Sequence, residues 1–174
     1  SLDTAGLQSA DALREEGSYH NALLKYEELA KSSGIPEASA RELKFKIADS
    51  AWRTREEARY EGAVKTLKEL IEGKEHDRWW AEANESLCEL YLEKDRWSHS
   101  GEIPQYLQNA RDFWAGSTDI NAARPRFIKV SFTLGDFISQ NWGWYYTGIQ
   151  PVSSLGKGAY IAPAPNAGLH SLYE

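Results

Sequence analysis

Apolar residues recur every three to four positions from the start of the chain, with charged side chains between them, which is the spacing of amphipathic helices. Gly17 breaks the first such pattern, and Tyr19, Ala22, Leu23, Tyr26 and Leu29 then mark one face of a second helix. Ser32, Ser33, Gly34 and Pro36 form a stop signal. The spacing predicts a long helix from about residue 37, with Leu43, Ile47, Ala48, Ala51 and Trp52 inward. Another is predicted over residues 60–72, with Ala63, Leu67, Leu70 and Ile71 inward and Gly73 as its C-cap. Asp77 is placed to cap a further helix carrying Trp80, Ala83, Leu87, Leu90 and Tyr91. Alternation of period two, the mark of a half-buried strand, does not occur in this stretch.

Past Trp97 a polar loop leads to Pro104, well placed in the first turn of a helix with Tyr106, Leu107, Ala110, Phe113 and Trp114. Gly116 stops that helix, and Ser117, Thr118 or Asp119 supplies the next cap. Ile120, Ala123, Phe127 and Val130 repeat the spacing of Tyr19, Ala22, Tyr26 and Leu29 in a helix that continues to about Gln140. Pro125 lies inside this pattern, so the helix either starts just before it or kinks there. Between residues 147 and 173 Lys157 is the one charged residue, and Gly148, Pro151, Gly156, Gly158, Pro163, Pro165 and Gly168 exclude a regular helix. Within this tail Ala159-Tyr160-Ile161-Ala162 has the composition of one arm of a short hairpin, and Asn166 to Glu174 reads as the start of a further helix. Together with the complete lack of Met, this points to a piece of a longer protein.

The helices repeat. At a separation of 41 residues, Leu7 matches Ala48, Ala10 matches Ala51, Tyr19 matches Tyr60, Ala22 matches Ala63, Tyr26 matches Leu67 and Leu29 matches Leu70. A helical hairpin that cannot bury its own apolar face stacks on its neighbour, and small residues such as Ala10 and Ala22 allow close approach. The run Gly17-Ser18-Tyr19, followed by Ala22, Tyr26 and Leu29, resembles the second half of a tetratricopeptide repeat. Tyr60, Ala63, Leu67 and Leu70 look like a second copy without the turn glycine. The first helices of both copies lack the leading aromatic and leucine of that family, and 41 exceeds its usual period. A generic helical bundle is the alternative. The implied fold is all-α, a tetratricopeptide-like α-α superhelix of about 6–8 helices, with an irregular Gly/Pro-rich C-terminal segment. The expected domains are a helical-repeat domain over 1–146 and an irregular tail over 147–174 packed on the array.

The whole chain also resembles the N-terminal helical region of large bacterial alpha-2-macroglobulin-like proteins. The likeness lies in element order, in Asp77-Arg78-Trp79-Trp80 opening a helix that ends in Leu90-Tyr91, and in the stretch from Ala110 to Asp119 before a Gly-rich, nearly uncharged loop. Members of that family are exported and trap proteases through later domains, so the resemblance implies a periplasmic or extracellular location and transfers no functional residue.

Charge changes the picture in one respect. Residues 1–97 hold 15 basic and 21 acidic side chains, whereas residues 98–174 hold 5 of each. A net charge of −6 is unsuited to wrapping nucleic acid. No apolar run approaches the length of a membrane span. Cys88 stands alone, which excludes a disulfide framework and a zinc ribbon, and its place beside Leu87 and Leu90 suits a buried structural thiol better than a nucleophile.

The search for reactive chemistry finds little. Gly156-Lys157-Gly158 lacks the earlier glycine and the following Ser or Thr of a phosphate loop and reads as a tight turn. His99 and Glu102 have a loose metal-like spacing, but a metal site needs three or four converging ligands, and His20, His76, His99 and His170 are far apart. Glu15-Glu16, Glu27-Glu28 and Glu56-Glu57 point about 100° apart on a helix and share no site. Lys44, Lys46, Arg53, Arg55 and Arg59 interleave with Glu42, Asp49, Glu56, Glu57 and Glu61, the pattern of a salt-bridged surface. No cofactor, metal or catalytic group is expected.

The most unusual feature is Trp142-Gly143-Trp144-Tyr145-Tyr146. Trp142, Trp144, Tyr145 and Tyr146 either cap the end of the array beneath the tail or form an interaction platform for a protein, a neighbouring domain or a sugar ring. The sequence therefore leads to a non-enzymatic scaffold for protein–protein or interdomain contact, with a carbohydrate- or peptidoglycan-associated module as the alternative.

Overall fold

The computed structural model describes residues 1–140. Over that span the chain forms seven α-helices and no strand, so the fold is all-α. They are α1 (Thr4–Glu15), α2 (Tyr19–Ala30), α3 (Glu37–Arg53), α4 (Tyr60–Glu72), α5 (Arg78–Lys94), α6 (Ile103–Ala115) and α7 (Ile120–Gln140). A 3-10 turn over Glu57–Arg59 precedes α4. The chain divides into two units, Ser1–Arg96 and Trp97–Glu174, close to where the acidic excess ends. The expected boundary at 146/147, the tail and its possible hairpin lie outside the described residues.

In the first unit each helix is set off by local chemistry. Asp3 caps α1 by accepting the Gly6 amide at 3.0 Å, and Gly17 takes φ +87° to turn the chain into α2, a conformation that costs a glycine little. Gly34 does the same, with φ +72°, between α2 and α3. Asp77 caps α5 by accepting the Trp80 amide at 2.9 Å. α1 packs on α2, α2 on α3, α3 on α4 and α4 on α5, so each second helix of a pair touches its own partner and the helix that follows. Ala10, Ala22, Tyr26, Leu29 and Leu43 share one core, with Leu2, Leu7, Leu13, Ile35 and Ile47 against it. Burial of each large side chain contributes about 1.5–3 kcal/mol. α5 differs from the others, because every residue from 80 to 88 is buried, including Glu82, Asn84, Glu85 and Ser86.

In the second unit α6 and α7 pack on one another. Pro104 sits in the first turn of α6 and Gly116 ends it. Pro125 lies inside α7, in its second turn, where it forgoes a single i→i−4 hydrogen bond. Ile103, Leu107, Ala110 and Trp114 of α6 are buried, as are Ala123, Val130, Leu134 and Phe137 of α7.

Candidate functional site

The most organised chemistry among the described residues lies where α1, α3 and α5 face one another. Asp49 on α3 is 1% exposed. Its carboxylate accepts Arg14 Nε from α1 at 2.9 Å, Arg53 Nε from its own helix at 3.0 Å and Ser86 Oγ from α5 at 2.7 Å. The Trp52 indole N–H donates to the same Ser86 hydroxyl at 2.8 Å. Arg53 reaches on to Glu89 at 2.7 Å. One turn earlier, Lys46 is only 6% exposed and binds Asp11 of α1 at 2.9 Å as well as Glu42. Asp11 also accepts the Tyr26 hydroxyl of α2.

Rings lie beside these charges. Phe45 and Trp79 stack with centroids 5.8 Å apart. Arg14 lies over Phe45 at 5.4 Å, and Lys46 and Arg78 lie over Trp79 at 5.4 and 5.0 Å. Each cation thus meets a carboxylate and a ring face, an arrangement worth most where water is excluded.

Proton affinities follow from these contacts. Burial alone would push the Asp49 carboxyl up, but Arg14, Arg53 and the Ser86 hydroxyl outweigh it and hold it below the usual carboxylate range. Tyr26 is pushed up by burial and by its bond to Asp11. Burial, with Glu89 and Glu85 nearby, likewise raises the Cys88 thiol. Asp49 is therefore a fixed anion at neutral pH, and Tyr26 and Cys88 keep their protons. Asp49 and Tyr26 tie neighbouring helices together.

The sequence reading placed Lys46 and Asp49 on a salt-bridged surface. The ion pairs are present, but both side chains are buried, because their partners arrive from helices about 35 residues away in the chain. Lys44 does remain outside, paired with Glu69, as does Arg55 with Glu93. His99 Nδ1 lies 3.3 Å from Glu102, and no three of His, Cys, Asp and Glu converge in metal-holding geometry among the described residues. His20 is exposed beside Glu56. His76 stacks on Trp80 with centroids 4.1 Å apart. Trp142, Trp144, Tyr145 and Tyr146 lie outside the described residues. No helix among the described residues is long and apolar enough to cross a membrane. Comparison with known protein families, with curated proteins and with solved structures finds no match to this chain.

Proposed function

We propose that this chain is a non-enzymatic helical-hairpin scaffold that holds a protein partner or a neighbouring domain of its own parent chain. The observation that carries the reading is the recurring separation of the side chains that tie successive hairpins together. Arg14 meets Asp49 and Lys46 meets Asp11 across 35 residues, and Arg41 meets Asp77 and Arg53 meets Glu89 across 36. Trp52 and Ser86 are 34 apart, and Arg55 and Glu93 are 38 apart. Bridges at so constant an offset are what a tandem array of similar hairpins requires, since each unit meets its neighbour in the same way. The polar groups along that seam bond one another across helices, which suits a rigid surface.

In its narrower form the proposal makes the chain a tetratricopeptide-like region at the N-terminal side of an exported alpha-2-macroglobulin-like protein. The order of elements and the Asp77-Arg78-Trp79-Trp80 and 110–119 stretches support it. The test is size-exclusion chromatography of the folded chain mixed with each segment that adjoins it in its parent polypeptide. Co-elution with one of them, at micromolar affinity or better, is expected. Failure to bind any adjoining segment, with helicity intact by circular dichroism, overturns the interdomain reading.

A further inference from the structure

Five large hydrophobic side chains are exposed among the described residues, and three of them lie on α7: Ile120, Ile128 and Phe132. They are 60%, 53% and 78% exposed. With Arg124 they fall at positions 120, 124, 128 and 132, one i+4 row running along just over three turns of the helix. This row is separate from the stripe of Ala123, Val130, Leu134 and Phe137 that is buried in the unit. At its first end the row opens on a groove of about 280 Å³ lined by Trp114, Ser117, Ile120, Arg124 and Phe127.

Rows of this kind have a known complement. An i±4 ridge packs into the groove between the i±4 ridges of a second helix, the commonest helix–helix contact in globular proteins. The first unit shows the same two-sided use of a helix, since α2 packs on both α1 and α3 and α4 on both α3 and α5. The groove at the end of the row has room for one large apolar side chain. Arg124 is exposed, breaks the apolar row at its second position and has no ion-pair partner among the described residues. A carboxylate at the matching position of an incoming helix would meet it within a largely apolar contact, where a charge pair selects the correct register and partner.

We propose that this face of α7 is a docking site for an amphipathic α-helix of a partner protein, one whose apolar stripe carries a single Asp or Glu aligned with Arg124. The inference rests on the scaffold reading above and gives that reading a surface and a partner chemistry.

The probe is a displayed library of amphipathic helices with a randomised apolar face, selected on the full chain. Enriched sequences are expected to carry one carboxylate within the apolar stripe. Phe132→Asp, a change at an exposed position, is expected to weaken their binding at least about tenfold. Arg124→Glu should do the same, and a Lys in place of the helix carboxylate should restore binding to that variant. Circular dichroism of both variants should match the parent. Absence of enrichment, or binders indifferent to both Phe132→Asp and Arg124→Glu, overturns the proposal. So does self-association of the chain that Phe132→Asp abolishes, since the face would then serve a second copy. Binders that map to the first unit alone would overturn this assignment while leaving the scaffold reading in place, so the two failures are distinguishable.

Discussion

The two units are built from the same element, the helical hairpin, and the contacts described in each differ in kind. In the first, side chains far apart in sequence bond across helices, and a buried carboxylate collects two guanidinium groups and a hydroxyl. In the second, Gln105 bonds Asn109, Gln108 bonds Asp112 and Gln140 bonds Asp136, each within about a turn of its own helix, while cations over rings, Arg111 over Phe127 and Arg126 over Trp114, cross between α6 and α7. α7 meanwhile leaves an apolar row in water. The contrast is between directional bonds that cross helices and apolar surface left uncovered. Directional bonds of the first kind fix how hairpins stack, whereas apolar area of the second kind fixes nothing within the folded unit.

The harshest way to break this contrast is Asp49→Ala. It leaves Arg14 and Arg53 partly buried with no carboxylate between them, and loss of one member of such a group costs about 3–5 kcal/mol. Because a chain of two units need not unfold in one step, hydrogen exchange resolved by segment is the suitable measurement. Amides of α1, α3 and α5 should lose protection, while those of α6 and α7 should not. An even loss across both units would mean that the brace is not confined to the first.

Acid should act on the same place. Asp49 has a carboxyl held below its unfolded value. Its contribution to stability is therefore complete above the unfolded carboxylate range, near pH 4. It fades as pH falls through the lower folded value, where the native carboxylate finally takes up a proton. In denaturant titrations below about pH 4, the parent chain should lose stability more steeply than Asp49→Asn. Parallel slopes would show that other carboxylates set the acid response.

A third comparison lies within α7, between two residues two positions apart. Val130 is buried and Ile128 is exposed. Val130→Ser removes apolar contact and leaves a hydroxyl in a core, which should cost about 2–4 kcal/mol. Ile128→Ser, the same kind of change on the open row, should shift stability by less than about 0.5 kcal/mol. Exchange protection of α6 reports both. A large effect of Ile128→Ser would mean that the row packs against something in the folded chain.

Much of this architecture was readable in advance because its signals are local. Gly17, the 60–72 helix and the Asp77 cap each depend on residues within a turn or two, so spacing and cap chemistry suffice. The burial of Lys46 and Asp49 was not readable in the same way. A helix pattern scores each residue against its neighbours on one helix, and these two are buried by partners supplied from Asp11, Arg14 and Ser86. The available signal was the pairing of opposite charges at a constant offset near 35, which a search for like residues at 41 passes over. α5 gave even less warning, since Glu82, Asn84, Glu85 and Ser86 carry no apolar mark and are all buried.

The finest division is between two buried serines in the first unit. Ser86 accepts from the Trp52 indole and donates to Asp49. Ser50 is fully buried, and its hydroxyl has no hydrogen-bond partner among the described residues. The change to alanine is chemically identical at the two sites and removes almost no volume, so the sign of the effect depends on the partners alone. Ser86→Ala leaves a buried indole N–H unsatisfied and takes a donor from an ionised carboxylate, which should cost about 1–3 kcal/mol. Ser50→Ala removes a polar atom that was desolvated without compensation and replaces a middling helix former with the best one, so it should stabilise by about 0.5–1.5 kcal/mol. Protection of α3 amides should fall in the first variant and rise in the second. If both variants destabilise the helix, Ser50 has a partner, and the polar seam extends one residue further along α3 than Asp49.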